Sequence, residues 1–304
     1  MFFGAAIWPF QWSPPYEQGI KRIAGLGFKG VELIGWTRDI LDNYYTPAKI
    51  AELRTVMAGE GIKLTEFVSS PPGVADRDPA LRASAVDHFK RTVEVAKALG
   101  TDMVNSVIAT PFGLDMPRSL EMPQSQELSP TIPVGLDWDA GYAWYVDSLQ
   151  KCCAHAEANG VRWALESHPH RWATTGTSIL RLLEKVGSPA LGVNVDPSHL
   201  FPCGDIPQVT ILQLGKKVFH THFSDNDGST NAHWRPGKGK IDWTAVLLAL
   251  KEVGYDDVIS IELEDVPGRS NRVDPTALDV FDYENTESVF YVRRCAERAG
   301  IKID

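Results

Sequence analysis

The chain has 304 residues, is 43% hydrophobic and carries a formal net charge of −9, which suits one large α/β domain and disfavours a nucleic-acid partner. Its four cysteines have no Cys-x-x-Cys spacing, so they indicate neither a disulfide framework nor a zinc knuckle and suit a reducing compartment. Because the N-terminus is unlike a signal peptide and no segment reaches about 18 uninterrupted apolar residues, we expect a cytoplasmic protein that does not bind membranes.

The first part of the chain alternates short apolar runs with helical patterns, several of which stop at a glycine. The predicted strands are Phe2 to Trp8, Gly30 to Ile34, Lys63 to Val68 and Asp102 to Ala109, and the predicted helices are Pro14 to Leu26, Pro47 to Ala58 and Asp78 to Leu99. Thr110 to Asp137 carries five prolines and is predicted to be a long loop, either a lid over a binding site or a disordered insertion.

The same alternation continues to the end of the chain. The predicted strands are Arg162 to His168, Leu191 to Asp196, Val218 to Phe223 and Asp257 to Glu264, and the predicted helices are Trp138 to Asn159, Gly176 to Val186, Ile206 to Leu214, Trp243 to Val253 and about Glu284 to Ala299. Eight strand-helix units without a break in composition predict a single α/β domain over residues 1–304, a (β/α)8 TIM barrel. A doubly wound open sheet is the alternative, although no Gly-x-Gly-x-x-Gly follows the first strand.

The last four predicted strands each end in a group that can bind a hard cation. These groups are Glu166, Asp196, His222 and Glu262. In a barrel such ends meet at one rim, where active sites are found. A single strand-end acid is commonly a helix cap or a surface charge, and a single histidine is commonly a core residue, but four on consecutive strands indicate a metal site. Three carboxylates and one imidazole favour one Mn²⁺, Mg²⁺ or Co²⁺ ion per chain over structural zinc.

Proton transfer beside such an ion gives the two glutamates a predicted catalytic role. A cation held by a hydroxyl and an adjacent carbonyl acidifies the C–H bond between them, because it stabilises the enediolate. Glu166 and Glu262 on either side of a bound sugar could remove a proton and return it to the opposite face. His168 is predicted to point into the same cavity, either as a second base or as a residue that orients a ligand.

Other residues near the predicted rim are candidates for substrate binding. His199 follows the sixth strand and is expected to bind a substrate hydroxyl, whereas His220 lies one step deeper than His222 and is expected to be structural. Residues 233–240 offer cations and tight turns, but their spacing is not that of a phosphate-binding P-loop. The tryptophans at the predicted rim, which either stack on a ring of the substrate or pack the barrel, are Trp8, Trp36, Trp172 and Trp234.

These motifs resemble the xylose isomerase-like barrels, a family that includes sugar isomerases and epimerases, inosose dehydratase and endonuclease IV. The resemblance is carried by Leu165-Glu166-Ser167-His168, Asp196-Pro197-Ser198-His199, His220-Thr221-His222, Pro236-Gly237-Lys238-Gly239, Ile241-Asp242-Trp243 and Ser260-Ile261-Glu262. It implies that the four strand-end residues match the metal ligands of ketose 3-epimerases, with Glu166 and Glu262 also forming the acid/base pair.

The resemblance also bears on substrate recognition. His199 matches a substrate-binding histidine of the family. His233 falls where ketose 3-epimerases carry a substrate-contacting arginine, and Arg235 is displaced by two positions, so we expect sugar recognition to differ. The remaining candidate substrate contacts are Trp8, Glu66 and Asn105, on the first, third and fourth predicted strands.

The sequence leaves three functions open. The leading one is a divalent-metal-dependent isomerase or epimerase that acts on a ketose or keto-sugar. The second is a lyase that cleaves a 3-oxo-glycoside by base-assisted elimination, or a related dehydratase. It is implied by a likeness to C-glycoside deglycosidase catalytic subunits, which use one Mn²⁺, and the long loops at 110–137 and 265–283 suit a bulky glycoside. Non-catalytic sugar binding is the third, and the intact ligand set argues against it.

Endonuclease IV is similar in the same stretches but requires three zinc ions and histidines from its early strands. The first histidine here is His88, on a predicted helix, and Asn231 replaces an acidic ligand, so we do not expect a trinuclear site. The expected partner is a small sugar or glycoside. We expect the chain to form a homo-oligomer, with a small partner subunit added if it is a deglycosidase.

Overall fold

The chain forms a closed barrel of parallel strands in the computed structural model, which describes residues 1–115, 131–265 and 278–304. The strands in these ranges are β1 (Phe2–Ala6), β2 (Gly30–Ile34), β3 (Lys63–Val68), β4 (Met103–Val107), β5 (Arg162–Glu166), β6 (Leu191–Val195), β7 (Val218–Phe223) and β8 (Val258–Ile261). Each strand pairs with the next, and β1 closes the ring against β8 with Gly4 opposite Ser260. The predicted single-domain (β/α)8 barrel is confirmed, and the open-sheet alternative is wrong.

Helices connect successive strands. Those of the described ranges are α1 (Glu17–Gly25), α2 (Pro47–Glu60), α3 (Pro79–Leu99), α4 (Trp138–Ala158), α5 (Gly176–Val186), α6 (Pro197–Leu200), α7 (Pro207–Leu214), α8 (Trp243–Glu252) and α9 (Leu278–Arg298). A short π-helix, Ile40–Tyr44, precedes α2. No helix in the described part of the chain combines the length and the apolar character needed to cross a membrane.

The predicted start of the last helix at Glu284 is wrong, because α9 already includes Leu278. Its first turns read as a polar loop in the sequence, but they are held from both sides. Phe281 is buried in the core, and Arg22 of α1 forms ion pairs with Asp279 and Asp282. The predicted loop at 265–283 is therefore partly helical, and its residues 266–277 lie outside the described ranges.

Five predicted strands end earlier than expected, and three of these early ends affect predicted site residues. β1 stops at Ala6, β5 at Glu166 and β8 at Ile261, so the chain leaves the strand pairing before Trp8, His168 and Glu262. In a barrel the residues that follow the strands line the carboxyl rim. The early strand ends therefore place these three side chains at the rim.

Helix α5 illustrates how the sequence seats a helix on the barrel. At its start the Thr175 side chain accepts a hydrogen bond from the Ser178 N–H, and the Ser178 hydroxyl accepts one from the Thr175 N–H. At its end Gly187 adopts a φ of 72°, a left-handed conformation that suits glycine. Buried residues recur at helical spacing on one face, namely Ile179, Leu182, Leu183 and Val186.

The predicted loop Thr110 to Asp137 is described only at its two ends, since residues 116–130 lie outside the described ranges. Its first part forms a short 3-10 turn, Pro111–Gly113. In that turn Phe112 packs against Trp138 and Trp172, with ring centroids 6.0 and 5.3 Å apart. These contacts fix the start of the loop, and whether the loop forms a lid stays a prediction.

Candidate active site

Side chains from β5, β7 and the end of β8 meet at the carboxyl rim of the barrel. His222 Nδ1 lies 2.6 Å from Glu166 Oε1 and 3.0 Å from Glu262 Oε2. One ligand atom from each of these three buried residues lies within 4.8 Å of the other two. We call Glu166, His222 and Glu262 the rim cluster. It brings together both predicted acid/base glutamates and three of the four predicted metal ligands.

Asp196, the fourth predicted ligand, lies beside the rim cluster. It caps α6 by accepting a hydrogen bond from the Ser198 N–H at 2.7 Å. Its Oδ2 is 3.1 Å from His233 Nε2, and that nitrogen is 3.9 Å from Glu262 Oε2. Burial raises the pKa of Asp196, but His199 and His233 outweigh burial and lower the value to about 2. Asp196 therefore stays ionised next to the rim cluster, and its binding to the same ion stays a prediction.

The hydrogen bonds around the rim cluster favour a cation at its centre. Asn194 on β6 donates from Nδ2 to His222 Nδ1 at 3.0 Å and to Glu166 Oε1 at 3.3 Å. Nδ1 also lies 2.6 Å from Glu166 Oε1, a contact that needs either a proton on the imidazole or a cation beside it. Three lone-pair atoms that meet in a buried site require a positive charge among them. Their oxygen and imidazole chemistry fits a divalent metal ion.

The pKa values of the rim cluster agree with this need for positive charge. Burial raises the pKa of Glu262 to about 7 and also raises the pKa of Glu166. Burial lowers the pKa of His222, but Glu166 and Glu32 outweigh burial and hold it well above its ordinary value. A proton on His222 and a bound cation are therefore two ways of supplying the same missing charge.

His168 and His199 stack beside Glu166. Their ring centroids are 3.5 Å apart, and His168 Nε2 is 3.7 Å from Glu166 Oε2. Burial lowers the pKa of His199 to about 3. His199 Nδ1 is 2.8 Å from Asn231 Oδ1, and its Nε2 is 3.3 Å from His233 Nε2. The structure thus places His168 where it can act as a base or orient Glu166, and it holds His199 mainly through protein groups.

Tryptophans form one wall beside the rim cluster. The indole N–H of Trp8 donates to Glu262 Oε1 at 2.9 Å, and its ring lies edge-on to that of His222 at a centroid distance of 5.7 Å. Trp36 lies edge-on to Trp8 at 6.2 Å and stacks with Trp12 at 5.1 Å. Such an aromatic surface suits stacking on a sugar ring. We call Trp8, Trp12 and Trp36 the tryptophan wall.

The cations of the segment 235–238 are paired with the last helix. Arg235 Nε lies 2.9 Å from Glu284 Oε2, and Lys238 Nζ lies 2.8 Å from Glu284 Oε1. Because Glu284 belongs to α9, these ion pairs tie the segment to the outside of the barrel. They give Arg235 a structural partner, and its contact with substrate stays a prediction.

Asp225 holds the same segment in place. Its Oδ2 accepts hydrogen bonds from the Gly237 N–H at 2.8 Å and the Trp243 indole at 3.0 Å. Its Oδ1 accepts one from the Ile241 N–H at 3.2 Å. Gly239 lies so close to this region that a Cβ atom there would collide with the Asp225 side chain and with the backbone oxygen of Asn226. Gly237 and Gly239 are therefore needed for the conformation of the loop that follows β7.

A Gly239→Ala substitution is expected to lower the free energy of unfolding by about 1–3 kcal/mol, because the added methyl group overpacks a site without free space. Urea denaturation measures this change. Gly59→Ala is the matched control, since a Cβ at this position in α2 meets nothing within 4 Å and alanine favours a helix. Equal stability of Gly239→Ala and the wild type would show that the loop does not need this close approach.

Glu66 and Asn105, both predicted as substrate contacts, lie inside the barrel. Both are 0% exposed, and Asn105 Nδ2 donates to Glu66 Oε1 at 3.1 Å. The same oxygen is 3.2 Å from His222 Nε2, on the side of the imidazole ring away from Nδ1 and Glu166. The structure thus places both residues behind His222 as seen from the rim cluster, and their contact with substrate stays a prediction.

Sequence analysis missed two residues that hold the rim cluster. Glu32 on β2 lies with Oε2 3.0 Å from His222 Nε2, and Asn194 donates to His222 Nδ1. Both are fully buried. The available signal was a polar residue within an otherwise apolar strand, Val31-Glu32-Leu33 and Val193-Asn194-Val195. Such a residue must find a partner inside the barrel.

Comparison with known proteins supports a relationship to sugar epimerases and isomerases. The chain is 22% identical to the D-psicose 3-epimerase of Ruminiclostridium cellulolyticum over 262 residues, covering 84% of this chain and 81% of that protein. It is 28% identical to the inosose isomerase of Bacillus velezensis over 256 residues, covering 81% and 82%. A further match, to the uncharacterized protein MJ1311 of Methanocaldococcus jannaschii at 33% identity, spans 39% of this chain and 42% of that protein.

Solved structures share the whole fold. D-psicose 3-epimerase with D-tagatose from Clostridium cellulolyticum H10 has a TM-score of 0.74 at 20% identity, with 97% of this chain and 99% of that chain covered. The IOLI protein with a binding zinc atom has a TM-score of 0.71 at 21% identity, with 98% of both chains covered. A family model described as xylose isomerase-like TIM barrel matches residues 20–281. The chain therefore belongs to the xylose isomerase-like TIM barrel family.

Proposed function

We propose that the protein is a divalent-metal-dependent sugar isomerase or epimerase that moves a proton beside the carbonyl of a ketose or keto-sugar. The observation that carries the proposal is the approach of Glu166 and Glu262 to one atom, His222 Nδ1, at 2.6 and 3.0 Å. Two carboxylates that converge in this way can flank a substrate, so that one takes a proton and the other returns it. The names of the relatives, D-psicose 3-epimerase and inosose isomerase, support a sugar substrate.

The rim cluster would hold the metal ion, with Asp196 as the fourth predicted ligand. Its donor set suits Mn²⁺, Mg²⁺ or Co²⁺, while the related IOLI structure is described with zinc. When bound, the ion would supply positive charge that polarises the carbonyl and stabilises the enediolate. Metal analysis of the purified protein would identify the ion that it carries.

The protein fixes the direction in which each glutamate presents its oxygens. Trp8 holds Glu262 Oε1, and Glu262 Oε2 faces His222 Nδ1 at 3.0 Å. Asn194 holds Glu166 Oε1, and Glu166 Oε2 lies on the side of His168. The oxygens turned away from His222 Nδ1 are Glu262 Oε1, which Trp8 positions, and Glu166 Oε2, and these two would exchange the proton. The tryptophan wall would stack on the sugar beside them.

Incubation of the Mn²⁺-loaded protein with D-psicose or D-fructose in D₂O tests this function. We expect deuterium on the carbon next to the carbonyl, because a proton that passes through a carboxylate exchanges with solvent. Nuclear magnetic resonance of the recovered sugar measures the incorporation. Protein treated with a chelator serves as the control and is expected to incorporate far less.

Two other results would redirect the assignment. Release of a free aglycone from a 3-oxo-C-glycoside, without deuterium exchange in either ketose, would replace the isomerase with the lyase alternative. Absence of exchange and of aglycone release, together with no bound metal, would favour a non-catalytic sugar-binding protein.

A further inference from the structure

A second group of metal-binding side chains lies inside the barrel, behind His222. Glu32 on β2, Glu66 on β3 and His220 on β7 are each at most 2% exposed. His220 Nε2 lies 3.5 Å from Glu32 Oε1, and His220 Nδ1 lies 3.5 Å from Glu66 Oε2. Together with His222 they place one ligand atom each within 4.8 Å of the others. We call Glu32, Glu66 and His220 the interior cluster.

His222 and Asn105, which lie outside the interior cluster, contact only one oxygen of each of its two carboxylates. His222 Nε2 lies 3.0 Å from Glu32 Oε2, and Asn105 Nδ2 donates to Glu66 Oε1. The opposite oxygens, Glu32 Oε1 and Glu66 Oε2, receive no hydrogen bond of normal geometry from the described residues, although the Ser260 hydroxyl, which also lacks such a bond, lies near Glu32. Fully buried carboxylate oxygens without a donor are costly, so they indicate a ligand that the side chains alone do not provide.

The proton on His220 is placed so that the ring also offers a lone pair. Asn194 Oδ1 lies 3.3 Å from His220 Nδ1, which therefore donates. The opposite orientation of the Asn194 amide would bring its oxygen against Glu166 Oε1, so the present one is favoured. His220 Nε2 then carries no hydrogen and faces Glu32 Oε1, a contact between two acceptors. Neither atom receives a hydrogen bond of normal geometry from the described residues.

Charge supports the same conclusion. Glu32 and Glu66 bring two carboxylates into the barrel interior, and their ion pairs within the described ranges involve His220 and His222. The positive charge of a divalent ion in the rim cluster would be balanced by the carboxylates of that cluster. A buried carboxylate that stays ionised needs a positive charge within contact distance, and otherwise it binds a proton. Two oxygens and one imidazole nitrogen form a mixed donor set of the kind that binds Mn²⁺, Co²⁺ or Zn²⁺.

We propose that the interior cluster binds a second divalent metal ion, separate from the ion proposed for the rim cluster. Glu32, Glu66 and His220 are its protein ligands. His222 lies between the two ions, with Nδ1 toward the rim cluster and Nε2 donating to Glu32 Oε2. The second ion thus anchors the carboxylate that orients a ligand of the first, a supporting arrangement common in metal sites. The inference rests on the interior contacts and holds whether or not the proposed function is correct.

Metal counting tests the inference directly. The whole chain is stripped with a chelator, reloaded with Co²⁺ and dialysed, and its cobalt content is measured by mass spectrometry. We expect two equivalents per chain for the wild type and for Glu94→Gln, a control on the exposed side of α3. Glu66→Gln, which keeps the side-chain shape, is expected to bind one. Anomalous diffraction at the cobalt edge should then show one wild-type peak in each cluster and only the rim peak in the variant.

One cobalt per chain in the wild type, with no anomalous peak among Glu32, Glu66 and His220, would overturn the inference. That result would mean that a water molecule or a proton satisfies the interior atoms. The wild-type measurement decides the question even if Glu66→Gln fails to fold. Two bound ions without deuterium exchange into either ketose would refute the proposed function alone, and exchange with one rim ion would refute the second site alone.

Discussion

The substitution Glu262→Gln is expected to lower kcat by about 10²- to 10⁴-fold, the range for loss of a general acid or base. Glutamine keeps the shape of the side chain and can still accept the hydrogen bond from Trp8. Its amide neither accepts nor returns a proton at neutral pH, so proton transfer on one face of the substrate stops. Because the loss lies in the chemical step, KM should change far less than kcat. Steady-state kinetics with excess Mn²⁺ measures both.

The control for this experiment is Glu94→Gln, which removes an exposed carboxylate on α3 and should keep wild-type kinetics. Metal content measured on the same samples separates loss of proton transfer from loss of the ion. A metal-loaded Glu262→Gln protein that retained more than a tenth of the wild-type kcat would show that Glu262 is not the acid or base.

The substitution Glu166→Gln is expected to weaken metal binding by at least about 100-fold. Loss of a residue that only supports a ligand already costs about 10- to 100-fold, and Glu166 Oε1 lies 2.6 Å from the nitrogen that would share its ion. At a Mn²⁺ concentration 100 times the wild-type Kd of the rim cluster, the rim ion stabilises the wild type by about 2.7 kcal/mol and the variant by about 0.4 kcal/mol, and an ion in the interior cluster would add equally to both. These values correspond to a rise in Tm of roughly 5 °C for the wild type and of less than about 1 °C for the variant.

Thermal denaturation with and without Mn²⁺ measures the difference. Glu94→Gln again serves as the control and should show the full wild-type rise. If Glu166→Gln were stabilised by Mn²⁺ as strongly as the wild type, the ion would not bind at the rim cluster. If neither protein responded to Mn²⁺, Mg²⁺ or Co²⁺, the proposed metal dependence would be wrong.

The barrel itself could be predicted because each of its units carries a local signal. Apolar runs such as Leu191 to Val195 and glycines such as Gly187 mark strands and helix ends within a few residues. The start of α9 could not be found in this way. Its first turns are polar, and what holds them is the burial of Phe281 and the pairing of Arg22 with two aspartates about 260 positions away. Such contacts exist only after folding.

The rim cluster could be predicted because its members stand at the ends of β5, β7 and β8, a position that the fold alone brings to one rim. The side chains that orient them were harder to find. Glu32 and Asn194 reach His222 from other strands, and their strands look like ordinary apolar strands with one polar residue. Arg235 illustrates a different difficulty. Its positive charge suggested a contact with substrate, whereas the structure pairs it with Glu284. The sequence alone does not show which residue a charged side chain pairs with.

A crystal structure of the Mn²⁺-loaded protein with anomalous data tests the central claim most directly. The account predicts an anomalous peak in contact with Glu166, His222 and Glu262, with the two glutamates on either side of a bound sugar. A peak only among Asp196, His199 and His233, or a glutamate turned away from the ion, would contradict it.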